Sequence, residues 1–353
     1  MTRIYLDHAA TTPMLPAARH AVTDAMSRWA NPSSPHAEGR AARAALETAR
    51  GDIARAYGWA GETILTSGAS ESLAIALGRT MARRVFLTAV EHDAVFRAAP
   101  ADATVIAVGG DGVVDPATLP DVRDAIVCIQ WANSETGVRQ PIAALAHAIH
   151  AQGGRLLVDA AQMPAGADAD VVTHADMVAV SAHKRGGPPG IGALLVRDLG
   201  LIAPSGGQER GYRGGTENVP AAIGFATALA EPEDIGRLIP LRARLDDAVR
   251  RSGGAVVADA QRRHPAIAAY HLPGVASAAQ LIRLDMAGFA VSAGSACSSG
   301  SMKPSHVLAA MGWSEAASRE VVRISFGRST TEAQIDAVIA AWRDMARRTR
   351  MVA

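Results

Sequence analysis

The sequence predicts an α/β fold, in which a mostly parallel sheet lies between helices, followed by a smaller α+β domain. Short apolar, β-prone runs alternate with helical patterns between residues 60 and 200. Runs that are apolar on both faces suit strands buried between helix layers, and the alternation suits a parallel sheet. The length of 353 residues is also more than one small core needs. The predicted strands span residues 63–66, 85–88, 104–108, 125–131, 155–159, 177–181 and 191–196.

The clearest helix between these strands covers residues 141–152. It starts with Pro141 and stops before Gly153 and Gly154, and this order of proline and glycine is typical of helix ends.

A different pattern begins after residue 230 and predicts the smaller domain. A helix that includes residues 241–251 precedes strand candidates at 255–258, 266–271 and 321–325. A last helix is predicted to begin near Ser329, which fits a capping box with Glu332.

Composition excludes several classes of function. The formal net charge of +1 gives no electrostatic reason to expect nucleic acid or an acidic membrane surface as a partner. No apolar run approaches the ~20 residues that span a bilayer, and the N-terminus does not resemble a secretory signal. Only two cysteines occur, without CxxC spacing, and His147 and His150 lack a third ligand. We therefore expect a cytoplasmic protein with no disulfide framework and no metal site.

Lys184 is the first candidate for chemistry. It follows a predicted strand and precedes a loop rich in glycine and proline, which is where α/β proteins place ligand sites. A lysine there can form a Schiff base with an aldehyde cofactor if burial or nearby positive charge lowers its pKa. Taken alone, a solvated loop lysine explains this position better.

Asp159 ends the preceding predicted strand, so it should reach the same carboxyl edge of the sheet as Lys184. A buried carboxylate there can keep the ring nitrogen of pyridoxal phosphate protonated. Taken alone, an aspartate that caps the next helix is an equally good explanation.

Two glycine-containing segments are weaker candidates. TSGASE at 66–71 joins a strand to a helix and can bind phosphate through backbone N–H groups, but many such turns look alike. The loop at 206–218 lacks the Walker and dinucleotide-binding patterns and indicates only an irregular, glycine-dependent segment.

The two cysteines differ in context. Cys128 lies in an apolar strand and is predicted to be a small buried hydrophobe. Cys297 lies in SAGSACSSGS, whose small polar residues predict an exposed loop with an accessible thiol. Taken alone, an incidental surface thiol is still the better explanation of Cys297.

Together, these fragments resemble the cysteine desulfurases of the nitrogen-fixation and iron–sulfur-assembly type, which belong to the class V aminotransferase group and have the type I fold of pyridoxal-phosphate enzymes. The motifs occur in the family order along the whole chain, and the cysteine-loop motif is the most specific. They are YLDHAATTP at 5–13, NPSSPHAEGRAAR at 31–43, SGASES at 67–72, EHDAV at 91–95, ANSETGVRQPI at 132–142, VDAAQ at 158–162, SAHK at 181–184, GGQERGYRGGTEN at 206–218, VSAGSACSSGSMKPSHVL at 291–308 and VRISFGRSTTE at 322–332.

The resemblance implies roles around a pyridoxal 5′-phosphate cofactor. Lys184 would hold the cofactor covalently and move protons at the substrate Cα. His92 would stack on the cofactor ring, Asp159 would pair with the ring nitrogen, and Gln162 would bond the ring hydroxyl.

It also implies a phosphate site that two subunits share. Ala69, Ser70, Ser181 and His183 would hold the cofactor phosphate. Thr216 would reach it from the partner subunit, which implies a homodimer.

For the substrate, the resemblance implies that Arg323 clamps the carboxylate of L-cysteine, and we group Asn133 with it as substrate-binding. Cys297 would attack the substrate sulfur, leaving alanine and an enzyme persulfide. A sulfur-acceptor protein, such as an iron–sulfur scaffold or a relay for thio-cofactor or tRNA synthesis, would then take the sulfur.

The resemblance further implies a seven-stranded sheet in a large domain and a small C-terminal domain. We place the large domain at 15–235, and the small domain, which carries the cysteine loop, at 1–14 and 236–353.

Four features depart from the family pattern. Ser134 stands where the family has an asparagine near the ring hydroxyl, segment 67–76 lacks two residues, and Pro189 replaces a usual lysine. Segment 219–290 is short and lacks the usual asparagine before the predicted strand at 266–271. These changes concern turnover and substrate range more than cofactor binding, and we count Ser134 with the cofactor-binding residues.

Two other functions stay open from sequence. One is a different class V enzyme, namely a selenocysteine lyase or a transaminase. The other is a low-activity relative that acts mainly as a partner-binding module. The cysteine loop argues against a transaminase, and the retained Lys184, Asp159, His92 and Arg323 argue against a pure binding module.

Overall fold

A computed structural model describes residues 3–28, 30–294 and 304–350 of the chain, without the side chains of residues 349 and 350. The helices are α1 Pro16–Ser27, α2 Ala37–Ala56, α3 Ala69–Gly78, α4 Asp93–Ala98, α5 Ile142–Ala151, α6 Ala169–His174, α7 Val219–Ala230, α8 Leu238–Arg251, α9 Ser277–Met286, α10 His306–Ala310, α11 Glu315–Ser318 and α12 Glu332–Arg350. The strands are β1 Ile4–Tyr5, β2 Glu62–Thr66, β3 Arg84–Thr88, β4 Thr104–Ile106, β5 Ala125–Gln130, β6 Arg155–Asp159, β7 Met177–Ser181, β8 Gly192–Val196, β9 Ala255–Val256, β10 Ile267–His271, β11 Phe289–Ala290 and β12 Val321–Ser325.

Seven strands form the main sheet in the order β2-β8-β7-β6-β5-β3-β4. Strand β8 is antiparallel to both of its neighbours, and the other pairs are parallel. The predicted fold class is therefore confirmed. All seven predicted strands exist, although β4 is shorter than its apolar run.

Helices cover both faces of this sheet, as the two-sided apolar pattern predicts. Along β5, Val127 and Ile129 belong to a core shared with α2, α5 and α7, whereas Ile126 and Cys128 belong to a core shared with α3 and α4. Every residue of β5 is buried, and Cys128 is wholly inaccessible to solvent. The prediction that Cys128 is a buried hydrophobe holds.

A second, smaller sheet lies beyond residue 254, and its antiparallel strands run in the order β12-β10-β9. It packs with α8 and α12 in a separate core that includes Leu245 and Trp342. Leu6 and Ala9 belong to the same core, and β1 pairs in parallel with β11. On this basis we keep 1–14 and 236–353 as the proposed small domain.

The predicted capping box of the last helix is wrong in register. The reciprocal bonds join Thr331 and Gln334: the Gln334 N–H donates to Thr331 Oγ1 at 3.3 Å, and the Thr331 N–H donates to Gln334 Oε1 at 3.1 Å. The segment STTEAQ contains two overlapping copies of the pattern, and the helix begins at Glu332, directly after Thr331.

Within the described ranges, no helix is both long and apolar enough to cross a membrane.

Candidate active site

A cavity of about 560 Å³ lies at the carboxyl edge of the main sheet. The last residues of three adjacent parallel strands, Gln130, Asp159 and Ser181, all line it. Ligands bind at this edge in open α/β sheets because the strand-to-helix loops converge there. The predicted site residues that the structure brings together in its lining are Ala69, Ser70, His92, Asn133, Ser134, Asp159, Gln162, Ser181, His183, Lys184 and Arg323.

Lys184 lies on the loop that follows β7 and faces this cavity. Burial, together with the charges of Arg323 and Arg185, lowers the pKa of its ammonium group to about 8 against the opposing effect of Asp159. A lysine with a pKa near 8 provides far more free amine at neutral pH than an ordinary one. The solvated loop lysine that the sequence left open does not describe this position.

The N-terminal segment holds the Lys184 loop in place. The backbone N–H of Thr12 donates to the carbonyl of His183 at 2.8 Å, and the N–H of Leu15 donates to Gly186 at 2.8 Å. Gly186 has a φ of +80°, and a Cβ there would lie 2.7 Å from Leu15 Cγ. This approach therefore requires glycine.

Asp159 is 7% exposed, and its Oδ1 accepts the N–H of Ala161 at 2.9 Å. No helix starts there, because the next helix, α6, is capped by Asp168. The helix-capping alternative for Asp159 is therefore wrong. The carboxylate stands at the cavity wall beside Lys184.

His92 caps α4, since its Nδ1 accepts the N–H of Ala94 at 3.1 Å. The neutral imidazole must then carry its proton on Nε2. Burial, and then the nearby Lys184, lower the pKa of this imidazole. His92 is thus an uncharged ring on the cavity wall.

The amino terminus of α3 points at the cavity through Gly68, Ala69 and Ser70. The N-cap residue, Gly68, has no side chain, and no other described residue caps this end, so the first N–H groups are available to an anion. Gly68 has a φ of 151° and packs against Gly192, where a Cβ would lie 2.7 Å from the Gly68 Cα. Burial and Lys184 lower the pKa of the neighbouring His183 to about 4.

Arg323 lies on β12 and brings the small sheet to the cavity. Its Nη1 donates to the backbone carbonyl of Ser134 at 2.9 Å, and its Nη2 donates to Asp7 Oδ1 at 2.7 Å. This guanidinium therefore joins both sheets at the site.

The amide of Asn133 is bonded to its own turn and to the end of a neighbouring loop. Nδ2 donates to Val90 at 3.0 Å and to Gln130 Oε1 at 3.4 Å, while Oδ1 accepts from Glu135 and Thr136. Asn133 thus shapes the turn that presents Ser134, and because it also lines the cavity its substrate-binding role stays a prediction. Gln162 keeps one amide hydrogen, since its Nε2 donates to Ala9 at 2.9 Å.

One predicted site residue, Thr216, lies apart from this group: it is exposed and does not line the cavity. Cys297 lies outside the described residues.

Glu91 is a cavity residue that the sequence reasoning missed. It is wholly buried, and its Oε1 accepts from Thr88 Oγ1 at 2.6 Å and from the N–H of Gln130 at 3.0 Å. Oε2 has no partner among the described residues. Burial raises the pKa of this carboxyl to about 8, and Asp159 adds to the effect. An acidic residue three positions after an apolar strand was the available signal.

The class V aminotransferase family model matches residues 4–338. The chain belongs to this family. Among its relatives, the IscS-like cysteine desulfurase of Mycobacterium tuberculosis is 36% identical and aligns over 95% of this chain and 94% of that protein. The putative cysteine desulfurase IscS 1 of Bacillus subtilis is 35% identical over 95% and 96%.

Solved structures agree with this membership. A NifS-like protein from Rickettsia africae superimposes with a TM-score of 0.86 at 29% identity, covering 97% of this chain and 99% of that one. The structure described as SspA in complex with cysteine has a TM-score of 0.78 at 26% identity, with coverage of 94% and 100%.

Proposed function

We propose that this class V family member is a cysteine desulfurase, which uses pyridoxal 5′-phosphate to convert L-cysteine to L-alanine and leaves a persulfide on Cys297. One observation carries the proposal: a lysine of lowered pKa, Lys184, shares a cavity with Asp159 and His92 at the carboxyl edge of the sheet. The names of the relatives at about 36% identity support the same activity.

The donor set of the cavity fits this cofactor. Lys184 offers an amine for the aldehyde, and Asp159 offers a carboxylate for the ring nitrogen. His92 offers an uncharged ring for stacking, and the uncapped end of α3 offers N–H groups to the phosphate. Ser181 and His183 would complete the phosphate site, and Gln162 and Ser134, which also line the cavity, would bond the ring hydroxyl.

Pyridoxal phosphate, when bound, supplies an electron sink for the bonds at the substrate Cα. Lys184 would take the proton from Cα and return it, because its lowered pKa suits both directions near neutral pH. His92, which carries its proton on Nε2, would donate a proton to the substrate sulfur or accept one from it. Arg323 would bind the substrate carboxylate as a fork.

The sulfur-transfer step balances without an external oxidant. The Cys297 thiolate attacks the substrate sulfur, the S–S bond forms, and the Cβ–S bond breaks with its electron pair moving to the carbon skeleton. The proton removed from Cα returns to Cα, and the proton that Cys297 loses on becoming a thiolate ends on Cβ, which completes alanine. The overall change is cysteine plus enzyme thiol to alanine plus enzyme persulfide.

We further propose that the enzyme acts as a homodimer in which Thr216 of each subunit serves the partner's phosphate site. The persulfide passes to a sulfur-acceptor protein. The location is the cytoplasm, where reducing conditions keep a catalytic thiol free.

The decisive experiment measures alanine and sulfide released from L-cysteine by the purified holoenzyme in the presence of a thiol. Lys184→Ala should abolish both products. Cys297→Ser should retain the visible absorbance of bound cofactor and lose sulfur transfer, while Cys128→Ala should behave like the wild type.

Two outcomes would overturn parts of the proposal. Wild-type turnover by Cys297→Ser would exclude the persulfide. Activity with selenocysteine, or amino transfer to a keto acid, in the absence of any sulfide from cysteine would favour the other class V reactions.

A further inference from the structure

Asp7 makes contact with two active-site elements through its two carboxylate oxygens. Oδ1 accepts from Arg323 Nη2 at 2.7 Å, and Oδ2 accepts from Ser292 Oγ at 3.1 Å. The side chains of Asp7 and Arg323 are only 18% and 10% exposed. A carboxylate held at both oxygens has little freedom to rotate, so the direction of its pull on Arg323 is fixed.

The backbone around Asp7 is equally constrained. The Leu6 N–H donates to Ala290 at 2.9 Å, the Ser325 N–H donates to Leu6 at 2.8 Å, and Tyr5 OH donates to the Asp7 carbonyl at 3.1 Å. The chain therefore passes between β11 and the end of β12. Asp7 is placed beside Arg323 by strand pairing rather than by a loop.

The guanidinium of Arg323 has bonding capacity left over. Nη1 donates one hydrogen to Ser134 and Nη2 donates one to Asp7, so among the described residues one hydrogen remains on each of these nitrogens. Nε is closed off from solvent and does not face the cavity. Because Arg323 lines the cavity, a carboxylate there can bond the remaining Nη hydrogens.

Charge supports the same conclusion. Among the described residues, Asp7 is the only acidic residue that forms an ion pair with Arg323. The pair is close to neutral, so the site does not need an anion to be stable, yet it keeps directional donors for one. Binding would then depend on geometry as much as on net charge.

We infer that Asp7 is the positioning residue of the substrate-carboxylate site. It fixes the plane of the Arg323 guanidinium so that the free edge of the fork faces the cavity. Asp7 does not touch the substrate. The inference rests on the proposed function, since it concerns the α-carboxylate of the amino-acid substrate.

The test compares Asp7→Ala and Asp7→Asn with the wild-type holoenzyme. One readout is the KM and kcat for L-cysteine. The other is the Kd, by calorimetry, of 3-mercaptopropionate, which has the carboxylate and thiol of cysteine but no amine to react with the cofactor. We expect Asp7→Ala to raise both KM and Kd by about 10- to 100-fold with a smaller change in kcat. Asp7→Asn keeps an acceptor for Nη2 and should fall between.

Two controls define the result. Asp336→Asn breaks the Arg244–Asp336 ion pair of the small domain, which is about half exposed, and should leave KM and Kd unchanged. Ser292→Ala removes one neutral hydrogen bond to Asp7 and should raise the Kd by about fivefold.

The inference is overturned if Asp7→Ala and Asp7→Asn bind 3-mercaptopropionate like the wild type while Arg323→Gln does not. It is also overturned if they lose cofactor and melt early with an unchanged Kd, because that pattern indicates a merely structural tether. Failure of the proposed function would look different, since the wild type itself would then release no alanine.

Discussion

At the scale of single residues, burial determines the charge states around the cavity. Lys184, His92 and His183 all have lowered pKa values because the charged form of each loses solvation. Glu91 shows the matching effect for an acid, and its pKa of about 8 keeps the carboxyl neutral at neutral pH. A neutral Glu91 avoids a second negative charge beside Asp159.

Glu91→Gln should therefore become relatively more stable as pH rises. The unfolded chain releases this proton near the ordinary pKa of 4.5, whereas the folded protein keeps it up to about 8. The wild type loses stability across that window, by up to ~1.4 kcal/mol per pH unit, and glutamine does not. Urea unfolding of both proteins across the window measures the difference. A difference that does not change with pH would contradict the prediction.

Ser134→Asn tests the departure from the family pattern. The Ser134 backbone is held by Arg323, so a longer side chain at this position extends into the cavity from a fixed point. We expect an added hydrogen bond to the cofactor ring hydroxyl to contribute ~1 kcal/mol and to tighten the cofactor Kd by about fivefold. Titration of the apoprotein, followed by the visible absorbance of the cofactor, measures this. Unchanged or weaker binding would contradict it.

Residue types and motif order were enough to find 11 of the residues that line the cavity. The hydrogen-bond state of each side chain was not predictable. Asn133 is an example, since its amide is hydrogen-bonded to the neighbouring residues Gln130, Glu135 and Thr136 and to the distant Val90. The contact with Val90 forms only in the folded chain. Glu91 was missed because only folding shows that it is buried.

At the scale of elements, the loop at 206–218 is held by a buried ion pair. Arg50 of α2 makes a bidentate pair with Glu209, whose Oε1 lies 3.0 Å from Arg50 Nη2, and Glu209 Oε2 also accepts the N–H of Leu65 at 2.8 Å. Glu209 and Arg210 both have positive φ values, 48° and 58°, which disfavour non-glycine residues. The buried pair offsets this strain and fixes the loop that carries Thr216.

Glu209→Gln should destabilise the protein by about 3 kcal/mol, because it leaves the buried Arg50 with only the partly exposed Glu47 as a charge partner. The free energy of unfolding in urea measures the loss. Glu62→Gln is the matched control: it breaks the exposed pair with Arg210 and should cost at most ~1 kcal/mol. Equal losses in the two variants would show that burial does not matter here.

Strands β1 and β11, which were not predicted, depend on distant partners. Strands β1 and β11 have two residues each, and neither has a pattern of its own. They exist because Ile4 pairs with Phe289 across nearly the whole chain. The longer strands were predicted because each apolar run of the sequence indicates a strand that is buried on both faces.

At the scale of the whole molecule, the exposed Thr216 is consistent with a site completed by a second subunit. If Lys184 and Thr216 of one site come from different chains, Lys184→Ala and Thr216→Ala protomers should complement each other. A mixed dimer would contain one intact site, so mixing the two variants should restore activity that neither homodimer has. A particle mass equal to that of one 36.5 kDa chain, or no restoration, would contradict the shared site.

The α/β class and the order of the elements were predictable because strand and helix patterns are local. The closure of the site was not, since it joins Arg323 of the small sheet to Asp7 and to Ser134 of the large one. Such contacts bring together segments that lie hundreds of residues apart, so the local periodicity of apolar residues in the sequence does not indicate them.

The N-terminal segment has a consequence for how the chain folds during synthesis. Residues 4–7 are made long before their partners in β11 and β12. The seven-stranded sheet, whose strands all precede residue 197, can form while translation continues. The Asp7–Arg323 pair cannot form until β12 has been made. A nascent chain can thus assemble the strand ends that line the cavity early, whereas the proposed substrate-carboxylate site arises only once β12 has left the ribosome.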